Sequence, residues 1–356
     1  MDRKSISAEI IADSMSPQGH RLTTFLLNVP QIIVKELLRH RMFSFSSSSM
    51  RAIPFNKVLA DIRQNMFVPI AFQSHHSGMQ GTEYLTGEDE DMAIAQWISA
   101  GFKACVEAEK LYNMGATKQL CSRMIEPFGY AQILVTATEF DNFFDLRCPA
   151  YEVEIGSHKE QFRSRRDLIN KYLTYVSEDE QWFDINKSQA EIHIQALAEA
   201  MWDAMNESTP KKLKEGEWHL PFKDKTNDGK LAESISPGEA LIYKGLTLSS
   251  LRLKVATARC ARLSYMTFDG EINYEKDVKL HDQLLESRHY SPFEHCARAM
   301  SSDEYYEFAK GKMIVKDGYG DGDSLVQDID NHTQGWCNNY QGFIQYRYLV
   351  ENNLTI

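Results

Sequence analysis

A fold that mixes helices with strands is predicted by two kinds of periodicity in the chain. Arg21 to Leu27 (Arg-Leu-Thr-Thr-Phe-Leu-Leu) is β-branched and apolar, the composition of a strand. Four other stretches, at 93–113, 189–205, 251–263 and 275–287, repeat apolar residues at helical spacing. The 356 residues allow a sizeable buried core. No seam and no internal repeat divides them, so the expectation is one domain over 1–356, with insertions at 148–187 and 301–335.

In chain order, Pro30 sits where a helix can begin, because a first-turn proline gives up no helical hydrogen bond. Ile33, Leu37 and Leu38 continue at helical spacing, and Glu36, Arg39 and His40 then share one helix face. A serine-rich loop follows, closed by the extended turn Ala52-Ile53-Pro54. Residues 72–91 are polar and punctuated by Gly78, Gly81 and Gly87, as a surface loop is. The helix from Ala93 to Asn113 offers Ala95, Ile98, Phe102, Val106 and Leu111 to the core. Lys118 to Arg147 reads as two helical pieces divided near Pro127-Phe128-Gly129. Residues 148–187 are charged and weakly periodic, an insertion of helix and loop. Gln189 to Met205 is amphipathic, with Ala190, Ile194, Leu197, Met201 and Ala204 as its stripe.

Composition narrows the function classes. The net charge of −11 argues against a protein held on nucleic acid through backbone phosphates. No run of eighteen apolar residues suggests a membrane span, and Met1 to Ile6 lacks an apolar signal region, so a cytoplasmic location is expected. The six cysteines form no Cys-x-x-Cys pair, which fits reduced, buried thiols. His75-His76 lacks a third ligand, and the acidic glycine loop Asp317 to Asp323 lacks the closing glutamate of a calcium hand, so no metal is expected.

Against this acidic background one stretch stands out. Residues Arg39 to Arg51 carry four basic or ionisable groups and five serines within thirteen positions. Such a cluster suits an anion, phosphate above all, because guanidinium forks match phosphate oxygens. Downstream, 136–147 interleaves polar and aromatic residues too closely for a plain core helix and points to a site-facing surface.

Together these segments resemble the flavin-dependent thymidylate synthases. Arg39-His40-Arg41, Ser44 and Ser49-Met50-Arg51 are similar to that family's signature. Arg123 with Pro127, and Asn142 through Arg147, look like its nucleotide and flavin segment. Gln189-Ala190-Glu191-Ile192, Ala261-Arg262-Leu263-Ser264-Tyr265 and Ser291-Pro292-Phe293-Glu294-His295 look like three further elements. The last two precede Arg-His-Arg in most members and follow it here, so the chain looks circularly permuted, which folds tolerate when natural termini lie close together. Trp218-His219-Leu220-Pro221 and Gly342 to Arg347 look like features of a long, bacteriophage-type branch.

The resemblance implies an α+β fold, a twisted, mainly antiparallel sheet flanked by helices, assembled as a homotetramer with shared sites. It implies methylation of dUMP to dTMP, with methylenetetrahydrofolate as carbon donor, NADPH as reductant and hydride delivered by reduced FAD. The absence of Pro-Cys-His, the nucleophile setting of the other synthase class, agrees with that route. By resemblance Glu36, Arg39, Ser47, Ser49, Arg51, Arg123 and Arg147 would hold dUMP. Arg147 would act on the uracil ring as the catalytic residue. Arg39, His40, Arg41, Ser44, Thr136, Asn142, Ser264 and His295 would border FAD. Ser46-Ser47 and Glu36 depart from the compact members, and a carboxylate at Glu36 would repel a phosphate unless it pairs with an arginine. Competing readings are a dUMP hydroxymethylase on the same fold and a catalytically silent nucleotide- or RNA-binding relative. For His295 the plain alternative is a satisfied core histidine.

Overall fold

The computed structural model describes residues 6–77, 81, 83–172, 185–223, 226–233, 246–264, 273–308 and 334–354. The glycine loop 317–323, part of each expected insertion and Tyr265 lie outside them. The centre is a five-stranded sheet in the order β3-β4-β2-β1-β7, comprising β1 (Ser7–Met15), β2 (Arg21–Pro30), β3 (Ser44–Ser47), β4 (Tyr130–Ala137) and β7 (Lys211–Lys212). Every pairing is antiparallel except β1 with β7, so the expected mainly antiparallel α+β architecture is what the chain adopts.

β4 pairs along its full length with β2, Thr23 opposite Ala137 and Pro30 opposite Tyr130. Because side chains alternate along a strand, each presents two sets. Phe25, Leu27, Val29, Ala131, Ile133, Val135 and Ala137 share one core with Ile194, Leu197 and Met201 of the helix Ile192–Glu207. Leu26 and Leu134 face the other way, toward Phe222, Cys260 and Leu263. With both faces covered, β4 reads as continuously apolar. That is why its sequence suggested helix, and the structure corrects the second helical piece of 118–147 to a strand followed by a short helix, Asp141–Arg147.

Three more expectations change. Val34–Leu37 is a single turn, so Arg39 and His40 lie beyond the helix rather than on its face. Ser44–Ser47 is a strand against β4, not a loop. The long helix Glu88–Asn113 begins earlier than expected and buries Gly101, Cys105 and Ala108, leaving Phe102 and Val106 on the exposed side. Small residues let Phe55, Val58, Leu59 and Ile62 of Phe55–Gln64, and Cys121 and Ile125 of Lys118–Ile125, pack closely against it. After Arg147 the chain forms the hairpin β5 (Tyr151–Ile155) and β6 (His158–Phe162), then the helix Arg165–Tyr172.

The later segments close over the sheet's second face. The helices Leu248–Ala261 and Tyr274–Glu286 pack together. A three-stranded sheet joins β8 (Trp218–His219), β9 (Ala297–Ala299) and β12 (Phe343–Gln345), and the small hairpin β10 (Trp336–Cys337) with β11 (Tyr340–Gln341) precedes β12. All six cysteines are free and buried. No helix among the described residues is long and apolar enough to cross a membrane.

Gly342 lies at φ +75°, with its N–H on the Gly335 carbonyl, and a Cβ there would stand 2.7 Å from Ser16 Oγ. Gly342→Ala should therefore destabilise the protein by about 1–3 kcal/mol, seen as a lower denaturant midpoint at unchanged slope. An unshifted midpoint would contradict this account of the turn.

Candidate active site

The Arg39–Arg51 stretch crosses the sheet edge, and its two ends have different surroundings. At the first end His40 packs edge-on against Phe143 and stacks with Phe43. Arg147 closes the helix Asp141–Arg147 beside it. Its Nε–H donates to His40 Nε2 at 3.4 Å, and Nη1 meets Glu36 Oε2 at 3.4 Å. Both contacts are long, so they orient the guanidinium while its remaining donors stay available. Burial, and then the charge of Arg147, lower the His40 pKa to about 4. His40 is therefore neutral at pH 7, with the proton on Nδ1. Glu36, the carboxylate that would repel a phosphate, is here paired with an arginine.

Two cavities flank this group. One of about 330 Å³ is lined by His40, Arg41, Phe43, Asn142 and Phe143, with Glu139, Trp336 and Gln341. The other, about 670 Å³, is lined by Arg147 with Gln161, Phe162 and Arg163 of the hairpin region and Ser188 and Gln189 ahead of the next helix. Arg163 is ion-paired with Asp145 and stacks over Trp202. Residues 148–163, the first part of the expected insertion 148–187, thus help wall a cavity beside Arg147. The larger volume suits a nucleotide-sized ligand and the smaller a single ring system.

The second end is separate. Ser47, Arg51 and Arg123 are exposed. Ser47 Oγ donates to the Ser48 carbonyl, and Ser49 Oγ accepts from the Arg51 N–H at 3.3 Å. Arg123 reaches Glu126 at 3.5 Å. None of these residues lines either cavity. Arg39, Arg41 and Arg51 are exposed cations that make no ion pair among the described residues. The fold thus brings Glu36, His40 and Arg147 together, with Arg41 and Asn142 at the adjoining cavity. It leaves Ser47 as the last residue of β3, Ser49 and Arg51 beyond it, and Arg123 on the helix Lys118–Ile125.

Thr136, His295 and Ser44 lie inside. Thr136 Oγ1 sits 2.8 Å from Thr24 Oγ1 and 2.8 Å from His295 Nδ1. Thr24 Oγ1 is 2.8 Å from His219 Nε2, whose Nδ1 is 2.9 Å from Ser14 Oγ. His295 Nε2 is 2.9 Å from Ser46 Oγ, which meets Ser291 Oγ at 3.3 Å, and Ser291 Oγ donates to the Phe45 carbonyl. A carbonyl only accepts, so the direction that leaves no buried proton unpaired runs from Ser14 to Phe45 with both imidazoles protonated at Nε2. His295 thus has the environment of a satisfied core histidine behind the serine stretch. Ser44 is buried and accepts from Asn339 Nδ2 at 3.1 Å. Ser264 ends the short turn Arg262–Ser264, and its side chain is outside those described.

The motif reading missed Trp336 and Gln341, which nothing in their local sequence marks, and gave no role to Glu139, although it lies in the stretch 136–147 read as site-facing. It also missed Gln161 and Arg163, of which only Arg163 carried a signal, as part of a basic run. Among the described residues no cluster of metal-ligating side chains occurs.

The buried imidazoles predict acid sensitivity. Burial lowers His295 to about 3, with His219 a second cause, and lowers His219 to about 4. Both folded values lie below the unfolded value near 6.5. The unfolded chain therefore binds protons that the folded one refuses, and stability is lost as pH falls from about 6.5 toward 4. Melting temperatures across that window should fall more steeply for the parent protein than for His295→Gln. Parallel slopes would contradict the assignment.

The family model for the thymidylate synthase complementing protein matches residues 3–211. No curated protein sequence matches the chain. Among solved structures, the UMP/dUMP methylase PolB from Streptomyces cacaoi bound with 5-Br UMP is 19% identical, with 57% of this chain and 89% of that chain covered and a TM-score of 0.39. The same protein bound with 5-Br dUMP is 16% identical over 57% and 91%, with a TM-score of 0.37. Matched over more than half of its 356 residues, the chain belongs to the thymidylate synthase complementing protein family.

Proposed function

We propose that the protein is a flavin-dependent thymidylate synthase that methylates dUMP to dTMP, taking its carbon from methylenetetrahydrofolate and its electrons from NADPH. The observation that carries this reading is Arg147, a half-buried guanidinium held between Glu36 and a neutral His40 at the border of a nucleotide-sized cavity.

Arg147 acts on the uracil ring. Its N–H groups would stabilise the charge that develops on the ring oxygen as N3 loses its proton, which a preorganised cation does better than water. A neutral His40 leaves Arg147 as the cation of the pair, and Glu36 balances it from the opposite side. Arg39, Ser47, Ser49, Arg51 and Arg123 grip the phosphate through charge-assisted hydrogen bonds. Because Ser47, Ser49, Arg51 and Arg123 line neither cavity beside Arg147, the reading includes a homotetramer in which neighbouring copies complete each site.

The residues around the smaller cavity fit FAD. Arg41 is an exposed cation beside aromatic walls, and the Asn142 amide both donates and accepts. Arg39, His40, Arg41 and Asn142 would hold the cofactor, with Ser44, Thr136, Ser264 and His295 added to its site by the resemblance alone. When bound, the flavin supplies the hydride that reduces the transferred carbon to a methyl group.

Incubating the full-length protein with FAD, dUMP, methylenetetrahydrofolate and NADPH should yield dTMP by mass. A hydroxymethyl product would identify the competing hydroxymethylase, and no product would sink the proposal. Arg147→Ala should lower turnover by at least about a hundredfold while the variant still binds FAD by absorbance. Near-parental turnover would refute the role of Arg147.

A further inference from the structure

The hairpin Trp336–Gln341 contributes two walls of the 330 Å³ cavity, Trp336 and Gln341. It is clamped to the segments that form the other walls. Asn339 Nδ2 donates to the Met42 carbonyl at 2.9 Å and to Ser44 Oγ at 3.1 Å. Gln345 Nε2 donates to Asn339 Oδ1 at 2.6 Å, which fixes the orientation of that amide. On the opposite side the Gln341 N–H donates to Thr138 Oγ1 at 3.0 Å, three residues before the helix Asp141–Arg147. Gly335, at φ +70°, packs so tightly that a Cβ would lie 2.0 Å from the Tyr305 ring. Trp336 is thus set in place by its neighbours on both sides.

The cavity's chemistry narrows its ligand. Phe43, Phe143, His40 and Trp336 supply flat faces, and the volume admits one ring system. The polar groups are mixed in kind: a donor at Arg41, an acceptor at Glu139 and, at Asn142, an amide that does both, beside Gln341, whose Nε2–H donates to the Gln334 carbonyl at 2.9 Å. That mixture matches the edge of a nitrogen heterocycle carrying N–H and carbonyl groups. A phosphate would be repelled by Glu139.

We propose that Trp336 is a stacking residue for a planar nitrogen heterocycle and that residues 334–345 complete this pocket within the same chain. These residues lie outside the matched span 3–211. The inference rests on the cofactor reading above for its occupant, a dinucleotide that offers two such rings, isoalloxazine and adenine.

The test uses the full-length protein, with FAD binding followed by tryptophan fluorescence and with FMN and AMP as competitors. FAD should quench the parent protein. Trp336→Phe should remove the largest share of that quenching while holding affinity within about threefold, and Trp336→Ala should weaken FAD binding about tenfold. Competition by FMN alone assigns the isoalloxazine to Trp336, and competition by AMP alone assigns the adenine; either supports the proposal. Parental FAD affinity in Trp336→Ala, or parental quenching in Trp336→Phe, would overturn it and leave the cofactor reading standing. A parent protein that binds none of the three ligands would overturn both.

Discussion

The hydrogen bond between Thr136 and His295 joins the two halves of this protein. Thr136 belongs to strand β4 of the five-stranded sheet, and His295 to a turn 159 residues later in the chain. Through Thr24, His219 and Ser14 on one side and Ser46 and Ser291 on the other, it extends into a string of hydroxyls and neutral imidazoles beneath the sheet. A buried polar group without a partner costs about 1–3 kcal/mol, so each member constrains the next. The late segments Trp218–His219 and Ser291–His295 are thereby fixed against strands that precede them by two hundred residues or so. A permuted motif order would be compatible with such a fold, because this register depends on where the strands meet and not on which end of the chain made them.

The same arrangement explains what the sequence revealed and what it hid. Arg39–Arg51 stood out in the sequence as a candidate anion site, because four basic or ionisable groups in thirteen residues of an acidic protein are unusual. Its backbone was not, since serines favour loops and only pairing with β4 makes Ser44–Ser47 a strand. β4 itself was misread because both of its faces are buried, which erases the alternation that marks a strand. In Glu88–Asn113 the helical period was right and the face was wrong. Gly101, Cys105 and Ala108 are small enough for close packing, and the larger Phe102 and Val106 were left outside. Trp336 gave no signal at all, because its importance comes from Asn339 and Gln341 fastening the hairpin to distant segments.

The site carries a division of labour. Arg147, His40 and Glu36 form a balanced cluster in which one cation is kept beside one carboxylate and a neutral ring. The exposed Arg51 and Arg123, with Ser47 and Ser49, belong to a different part of the surface. Glu36 shows how context sets the meaning of a residue. A carboxylate near a phosphate is a liability, and a carboxylate on Arg147 is an orienting partner. In the proposed reading a nucleotide needs both groups, its ring on Arg147 and its phosphate on the far arginines, which a second copy can bring together.

Subunit mixing addresses that arrangement most directly. Arg51→Ala and Arg147→Ala chains, each inactive alone in the dTMP assay, would be unfolded together, refolded as a mixture and assayed. If the two ends of the stretch serve sites shared between copies, the mixture regains activity, because some sites then combine an intact Arg51 with an intact Arg147. A mixture that stays as inactive as its components would contradict the shared site.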